Sequence, residues 1–209
     1  MKMMGNTIHP YAIADLHGEI TLLQKLLRTI PATDVQLIFL GNYVDRGEDS
    51  FKTIQFLREL AHERSCIFLR GNHDAAWLDT WSGERFLRCP AIPGARALWE
   101  QVNGQIPPTM GQFLTRTQID WEDRYAYYSH AGARPKTSFR QTPAEVKVWG
   151  DDLFLTSTYD WGKPVIFGHY EVAEPLITHT KIGIDTAAYR SGTLTALDVI
   201  NARVIQVIR

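Results

Sequence analysis

The chain has 209 residues, a formal net charge of -1 at pH 7 and two cysteines. A chain of this length can bury a sizeable core as one domain and needs no disulfide to be stable. A charge this close to zero argues against a general nucleic-acid-binding protein, which is usually basic.

The amino-terminal stretch MKMMGNTIHP contains no apolar core of a signal peptide, and no apolar run reaches the length of a membrane span. Cys66 and Cys89 do not have the spacing of a metal site, and Cys66 lies in an apolar run typical of a packed strand. We therefore expect a cytoplasmic monomer, formed as a single domain over residues 1–209, with no nucleic-acid or membrane partner.

The first 70 residues alternate between strand and helix patterns. Apolar runs typical of buried strands occur in PYAIADLHG, VQLIFLG and CIFLRG. Between them, EITLLQKLLRTI and SFKTIQFLREL carry apolar residues at helical spacing, and Pro31 ends the first of these helices. This alternation predicts right-handed strand–helix–strand units and a sheet that contains parallel strands.

Residues 83–118 break this alternation. Pro90, Pro93, Pro107 and Pro108 divide the segment into short pieces, which predicts an inserted or capping segment with one or two short helices. After it, strand patterns dominate in YAYYSHAG, PVIFGHY, PLITHT, KIGIDTA, GTLTALDVI and ARVIQVI.

Polar side chains follow the ends of several apolar strands, which is where ligands bind in open α/β sheets. The residues at these positions are His17, His73, His130, His169, Asp15, Asn42, Asp45 and Asn72. A single histidine at a strand end is more often structural than a ligand. Four of them, with acids and amides between, indicate a functional site.

The mixture of imidazole, carboxylate and amide groups suits Mn²⁺, Fe, Zn²⁺ or Ni²⁺ better than Ca²⁺. Six candidate ligands among these eight side chains are too many for one tetrahedral ion but suit two adjacent divalent ions. Two metals about 3.5–4 Å apart can activate a water molecule and hold a phosphoryl oxygen. Arg46 adds a forked cation for phosphate, although a surface ion pair with Glu48 or Asp49 is the competing explanation.

Five motifs in order resemble the phosphoprotein phosphatase family, most closely its small bacterial and phage branch with the lambda-type phosphatases. The family pattern is GDxHG, GDxVDRG, GNH followed by an acid, and two further histidines. The corresponding stretches here are ADLHG (14–18), GNYVDRG (41–47), GNHD (71–74), SHAG (129–132) and FGHY (167–170). The tail IDTAAYRSGTLTALDV is also similar to that branch.

The resemblance implies an α/β fold, a metallophosphatase-like sandwich of two mixed β-sheets flanked by helices, with a dinuclear metal centre at one edge. It implies a first metal held by Asp15 and His17 and a second held by Asn72, His130 and His169. Asn42 stands where the family has an aspartate that bridges both ions. Manganese is the expected metal, and iron, zinc and nickel are the alternatives.

The resemblance also implies catalytic roles. His73 matches the general acid that protonates the leaving oxygen, Asp45 the carboxylate that orients this histidine, and Arg46 the phosphate-binding arginine. An imidazole with a pKa near neutrality is itself a suitable proton donor. The structural alternative for Asp45 is a side chain that caps a turn.

Three positions depart from the family pattern. Ala14 replaces the first glycine, which is a mild change, and Asn42 replaces the bridging carboxylate with a neutral amide. In VWGDDLF (148–154), Asp151 stands where relatives carry a second phosphate-binding arginine. Arg134 and Arg190 lie near site motifs and could take its place, or they could be structural or face solvent.

Two classes of function therefore compete. The first is a metal-dependent phosphoesterase that acts on phosphorylated protein or peptide, at serine, threonine or also tyrosine. A variant of this first class hydrolyses dinucleoside polyphosphates. The second is a catalytically weak binding module that keeps the shape of a phosphatase. Asn42 and Asp151 favour the second class, whereas His73, Asp45 and Arg46 favour the first. We expect a phosphatase whose activity is reduced by Asn42.

Overall fold

Two five-stranded β-sheets form the centre of the molecule in the computed structural model, which describes residues 8–209. The stretch MKMMGNT, on which part of the signal-peptide argument rests, lies outside the described residues. The strands are β1 His9–Ile13, β2 Val35–Phe39, β3 Ser65–Phe68, β4 Asp120–Glu122, β5 Tyr127–Ser129, β6 Val165–Phe167, β7 Leu176–Ile177, β8 Lys181–Gly183, β9 Thr193–Asp198 and β10 Arg203–Ile208.

Each sheet combines parallel and antiparallel pairs. The first has the order β10-β9-β1-β2-β3, and the second has the order β4-β5-β6-β8-β7. Strands β1, β2 and β3 run parallel in the first sheet, and β5, β6 and β8 run parallel in the second. The remaining four strands pair in antiparallel fashion. The prediction of an α/β fold with two mixed sheets is confirmed.

Helices cover the sheets and follow the predicted pattern in the first 70 residues. They are α1 Ile20–Leu27, α2 Ser50–Glu63, α3 Asn72–Leu78, α4 Ala95–Gln101, α5 Pro108–Thr115, α6 Ala144–Trp149, α7 Asp152–Thr156 and α8 Ala188–Ser191, with a 3₁₀ helix at Phe139–Gln141. Helix α1 buries Leu22, Leu23 and Leu26, the residues at helical spacing. Helix α2 begins after Asp49, whose side chain accepts the Lys52 backbone N–H at 2.9 Å.

Several short elements were not predicted from the sequence: α3, α6, α7, α8 and β4. Helices α6 to α8 have four to six residues, which is too short for a 3.6-residue apolar period to emerge. Helix α3 begins inside the GNHD motif, where polar residues hide its pattern. In such short elements tertiary packing, rather than local periodicity, determines the conformation.

The inserted segment 83–118 contains two helices, α4 and α5, as predicted. Helix α5 lies against α2 and α3. Its Phe113 ring contacts Tyr43 and Phe68, with ring centroids 5.2 and 5.1 Å apart. The segment thus shares the main core, and its role as a cap over a substrate groove stays a prediction.

Within residues 8–209, no helix is both long enough and apolar enough to cross a membrane.

Candidate metal centre and active site

Polar residues follow the carboxyl ends of the six parallel strands, and these ends of the two sheets lie close together. The loop after β1 carries Asp15 and His17, and the loops after β2, β3, β5, β6 and β8 carry Asn42, Asp45, Arg46, Asn72, His73, His130, His169 and Asp185. Because parallel strands of one sheet end at the same edge, the loops of each sheet converge there. A cavity of about 110 Å³ lies between them, lined by Asp15, His17, Asn42, Arg46, Asn72, His73, His169, Glu171 and Asp185.

The two sheets meet closely at Asp15. The His169 backbone N–H donates to Asp15 Oδ1 at 3.3 Å, which joins the loop after β6 to the loop after β1. A Cβ atom at position 168 would lie only 2.0 Å from the same oxygen. The glycine of the FGHY motif is therefore required by the close approach of the backbone to this carboxylate.

Asp74 holds the loop after β2 against the start of α3. Its Oδ2 accepts the backbone N–H groups of Asn42 and Gly71 at 2.7 and 2.8 Å, and its Oδ1 accepts that of Tyr43 at 3.1 Å. Complete burial raises the pKa of Asp74 to about 7. In the sequence this residue is visible only as the acid that follows GNH.

One group of side chains is arranged as metal ligands would be. Asn72 Oδ1 lies 3.0 Å from His130 Nε2 and 3.3 Å from His169 Nδ1. His130 Nδ1 donates to the Leu40 carbonyl at 2.8 Å, so its Nε2 carries a lone pair that faces the amide oxygen. Two facing lone pairs repel unless a cation lies between them. Ligands of an ion at about 2.1 Å are spaced by roughly 3.0–3.4 Å, so these three residues fit a divalent metal.

The electrostatic environment keeps the imidazoles ready to bind an ion. Burial lowers the pKa of His17 and of His130 well below the usual value, and the nearby histidines lower both further. Burial and the charge of His73 lower the pKa of His169 to about 4. All three rings are therefore neutral at pH 7, which is the form that binds metals.

A second group contains Asp15 and His17. His17 Nδ1 donates to the Val44 carbonyl at 2.8 Å, which leaves Nε2 free as a ligand. Burial, followed by the charge of Asp185, raises the pKa of Asp15 well above its usual value. Burial also raises the pKa of Asp185 to about 6. A cation beside these two carboxylates would relieve both effects.

Asn42 lies between the two groups and presents hydrogen atoms to them. Its Oδ1 accepts the His73 backbone N–H at 3.0 Å, which fixes the orientation of the amide. Its Nδ2 therefore donates to Asp15 Oδ2 at 2.9 Å and to Asn72 Oδ1 at 3.1 Å. A donor group at this position does not bind a metal. The bridging ligand implied by the family resemblance is thus replaced by hydrogen bonds.

A metal ion at this centre must bind an amide oxygen in addition to imidazole or carboxylate groups. Among residues 8–209, no group of three or more His, Cys, Asp or Glu side chains is arranged to hold a metal by itself. The oxygen of Asn72 completes the set formed by His130 and His169. The chemistry of this set, one oxygen and two imidazole nitrogens, suits the first-row transition metals expected from the sequence.

His73 lies beside the candidate ligands in a fully buried hydrogen-bond chain. Its Nδ1 is 2.7 Å from Asp45 Oδ2, and Trp77 Nε1 donates to Asp45 Oδ1 at 2.9 Å. The Asp45 side chain is thus occupied by two ring donors from α3 instead of by a turn. The sequence patterns did not identify Trp77, because its contact with Asp45 spans 32 positions.

Five of the site residues have a left-handed backbone conformation with φ between 43° and 69°, namely His17, Asn42, Asp45, Arg46 and His169. This conformation costs an L-residue about 1–2 kcal/mol. Strain of this kind persists only where surrounding contacts impose it, and it concentrates at functional sites. Here the hydrogen bonds from both sheets impose it.

Arg46 lines the cavity, and its partner differs from those considered from the sequence. Its Nη1 donates to Glu171 Oε1 and to the Tyr189 hydroxyl, each at 2.9 Å. The competing explanation for Arg46, an ion pair with Glu48 or Asp49, is wrong. Asp49 pairs instead with a lysine of α2, and Glu48 lies 3.9 Å from the arginine at position 209.

The other two arginines considered as phosphate ligands also have acidic partners. Arg190 Nη2 donates to Glu171 Oε2 at 2.6 Å, and Arg134 Nε donates to Asp151 Oδ2 at 3.1 Å. Neither arginine is among the residues that line the 110 Å³ cavity. A phosphate-binding role for Arg134 or Arg190 stays a prediction.

The chain is similar to known proteins over most of its length. The model of the calcineurin-like phosphoesterase family matches residues 9–190. The asymmetrical bis(5'-nucleosyl)-tetraphosphatase PrpE of Oceanobacillus iheyensis is 23% identical over an alignment of 218 residues, gaps included, and the alignment covers 88% of this chain and 86% of the relative.

Two solved structures share the fold. One is a protein described as a candidate diadenosine tetraphosphatase, with a TM-score of 0.79, 20% identity and coverage of 97% of this chain and 94% of that chain. The other is a serine/threonine phosphatase from Saccharomyces cerevisiae, with a TM-score of 0.67, 13% identity and coverage of 99% and 82%.

The contact between the inserted segment and the site predicts how two glycine variants behave. Gly94 has φ +89°, and an added Cβ would lie 2.9 Å from the Arg46 backbone nitrogen and 3.2 Å from Asp45 Cβ. Gly83 has φ +98°, but an added Cβ would have no described atom within 4 Å. We expect Gly83→Ala to lose about 1–2 kcal/mol of unfolding free energy through backbone strain alone.

Gly94→Ala should lose at least about 1 kcal/mol more, because its methyl group also overpacks the Asp45–Arg46 loop. Urea unfolding of both variants and of the unmodified chain measures the difference. Equal losses would show that residue 94 does not press on the site loop.

Proposed function

We propose that this chain, which belongs to the calcineurin-like phosphoesterase family, is a metal-dependent hydrolase of phosphate esters and anhydrides. The observation that carries the proposal is the convergence of three functions on one cavity. The candidate ligands Asn72 and His169, the imidazole of His73 and the guanidinium of Arg46 line it. Behind this lining, His130 contacts Asn72 and Asp45 contacts His73. A protein that only binds phosphate would not need the His73–Asp45 pair, which is suited to proton transfer.

Asn72, His130 and His169 would hold one divalent ion, and Asp15 and His17 would hold a second, with Asp185 close by. Bound divalent ions polarise phosphoryl oxygens and lower the pKa of bound water. Manganese is the proposed metal, because it accepts mixed oxygen and imidazole ligands.

The protein's own residues supply the remaining chemistry. Arg46 would bind two phosphoryl oxygens through its planar fork. Asp45 accepts the Nδ1 proton of His73 and thereby fixes the ring orientation, so that Nε2 is the atom that delivers a proton to the leaving oxygen. Trp77 holds Asp45 in place through its indole N–H.

Dinucleoside polyphosphates are the substrate class that we favour. The PrpE relative is similar over 86% of its own length, and it is named a bis(5'-nucleosyl)-tetraphosphatase. Phosphoproteins are the second candidate, supported by the order of the five motifs and by the fold shared with a serine/threonine phosphatase. Both reactions require in-line attack on phosphorus and protonation of a leaving oxygen.

Hydrolysis of two classes of phosphate ester tests His73 as the general acid. His73→Asn should lower the hydrolysis of alkyl phosphates by about 10²–10⁴-fold, because a poor leaving group needs the proton. Activated aryl phosphates should lose much less. His179→Asn is the control, since that histidine is 92% exposed and has no site contact. Equal losses for both substrate classes would assign His73 a role in folding or metal binding.

Another prediction concerns the effect of the Asn42 amide on metal binding and turnover. Asn42→Asp removes the Nδ2 donor and adds a carboxylate oxygen between the two groups of ligands. We expect tighter manganese binding and an increase in aryl phosphate turnover of about 10²-fold or more, the scale on which electrostatic stabilisers act.

Asn103→Asp is the matched control, because Asn103 is exposed and shares the left-handed backbone of Asn42. Metal titration and turnover should be measured on all three proteins. If Asn42→Asp has the metal stoichiometry and turnover of the unmodified chain, Asn42 is a working ligand and the bridging position needs no carboxylate.

A further inference from the structure

The Glu171 carboxylate lies at the mouth of the cavity and forms an ion pair with Arg46, the arginine proposed to bind phosphate. Its Oε1 accepts from Arg46 Nη1 and from the Tyr189 hydroxyl, each at 2.9 Å. Its Oε2 accepts from Arg190 Nη2 at 2.6 Å. The carboxylate thus engages two guanidinium groups with both oxygens, which is the contact that a phosphoryl group would make.

Hydrogen bonds connect this cluster, and its members are exposed to different extents, with the Arg190 side chain 67% exposed. The side chains of Arg46 and Glu171 are 23% and 26% exposed. The Arg46 guanidinium carbon lies 4.8 Å from the centre of the Tyr189 ring, which adds a cation–π contact. Tyr189 in turn packs edge-on against the metal-ligand candidate His17, with ring centroids 5.4 Å apart. The carboxylate therefore keeps a defined position relative to the ligands.

The charge around the cavity is unusual for a site that accepts phosphate. Among residues 8–209, its lining contains three carboxylates, from Asp15, Glu171 and Asp185, but Arg46 is its one arginine or lysine. Asp15 is itself a proposed metal ligand, and Asp185 lines the same cavity, so bound cations would offset the charge of both carboxylates. Glu171 instead pairs with Arg46, so its negative charge would repel a phosphate group bound there.

We infer that Glu171 is a specificity-determining residue that disfavours phosphate groups with two negative charges and favours those with one. A phosphomonoester carries two charges above a second pKa of about 6. A phosphorus atom substituted on both sides, as within a dinucleoside polyphosphate or a diester, carries one. The second charge would lie within a few ångströms of the Glu171 carboxylate, which would repel it with partial screening by water.

This inference rests on the proposed function, since it assumes that the scissile phosphate binds at Arg46. It deepens that function by naming the chemical class of substrate. A singly charged phosphoryl group would share Arg46 with Glu171, whereas a doubly charged one would have to displace the carboxylate from it.

The test uses Glu171→Gln, which keeps the length and the acceptor oxygen of the side chain but removes the charge. Two substrates with the same leaving group, 4-nitrophenyl phosphate and bis(4-nitrophenyl) phosphate, are compared at pH 8 with the manganese-loaded full chain. We expect kcat/KM for the monoester to rise roughly tenfold, the effect of one partly screened charge a few ångströms away. The value for the diester should change less than about twofold.

Glu174→Gln is the matched control, because Glu174 is an exposed glutamate three positions away that does not line the cavity. It should leave both values unchanged. If the ratio of kcat/KM for the monoester to kcat/KM for the diester is the same in Glu171→Gln as in the unmodified chain, the inference is overturned. Equal losses for both substrates would also overturn it, because Glu171 would then serve to position Arg46.

A binding measurement separates failure of the inference from failure of the proposed function. Calorimetric titration of inorganic phosphate at pH 8 should give roughly tenfold tighter binding to Glu171→Gln than to the unmodified chain. If neither protein hydrolyses either ester, the proposed hydrolase function fails, and phosphate binding still decides the role of Glu171. Equal phosphate affinity of the two proteins would contradict that role.

Discussion

The buried Asp74 carboxylate is the contact on which the geometry of the site depends. It accepts three backbone N–H groups that belong to two different loops, those after β2 and β3. Without it, these donors would be buried with no partner, at a cost of about 1–3 kcal/mol each. The contact sets the distance between Asn42 and the start of α3. The positions of Asn72 and His73, one a candidate ligand and the other the proposed acid, follow from it.

The part of the site that could be predicted from the sequence follows from topology alone. Polar residues directly after parallel apolar strands lie at one edge of their own sheet, and the six predicted ligands lie where such edges of the two sheets meet. What could not be predicted depends on contacts between distant positions or on side-chain orientation. Glu171 meets Arg46 across 125 positions, and the Asn42 amide takes its orientation from the backbone of His73. Asp185 was detectable as the acid two positions after β8, but no spacing rule relates it to Asp15.

Two changes of charge act on the same small cavity. The neutral amide of Asn42 removes a negative charge from between the ligand groups, and its N–H donors hold Asp15 and Asn72 together. At the mouth, Glu171 neutralises Arg46. The frame of a phosphoesterase is therefore intact, whereas its charges differ from those implied by the phosphatase resemblance. Affinity for metal and the choice of phosphate group are the properties that these differences affect most directly.

The most direct test of a metal centre built on Asn72, His130 and His169 is the metal content of the chain. Elemental analysis after equilibration with manganese and removal of free metal should find at least about one ion per unmodified chain. His130→Ala, with unchanged circular dichroism, should lose that ion, because a ligand contributes more than the roughly 10–100-fold of an outer-shell partner. Absence of tightly bound metal from the unmodified chain, or full retention of it in His130→Ala, would contradict the assignment of these three residues as ligands.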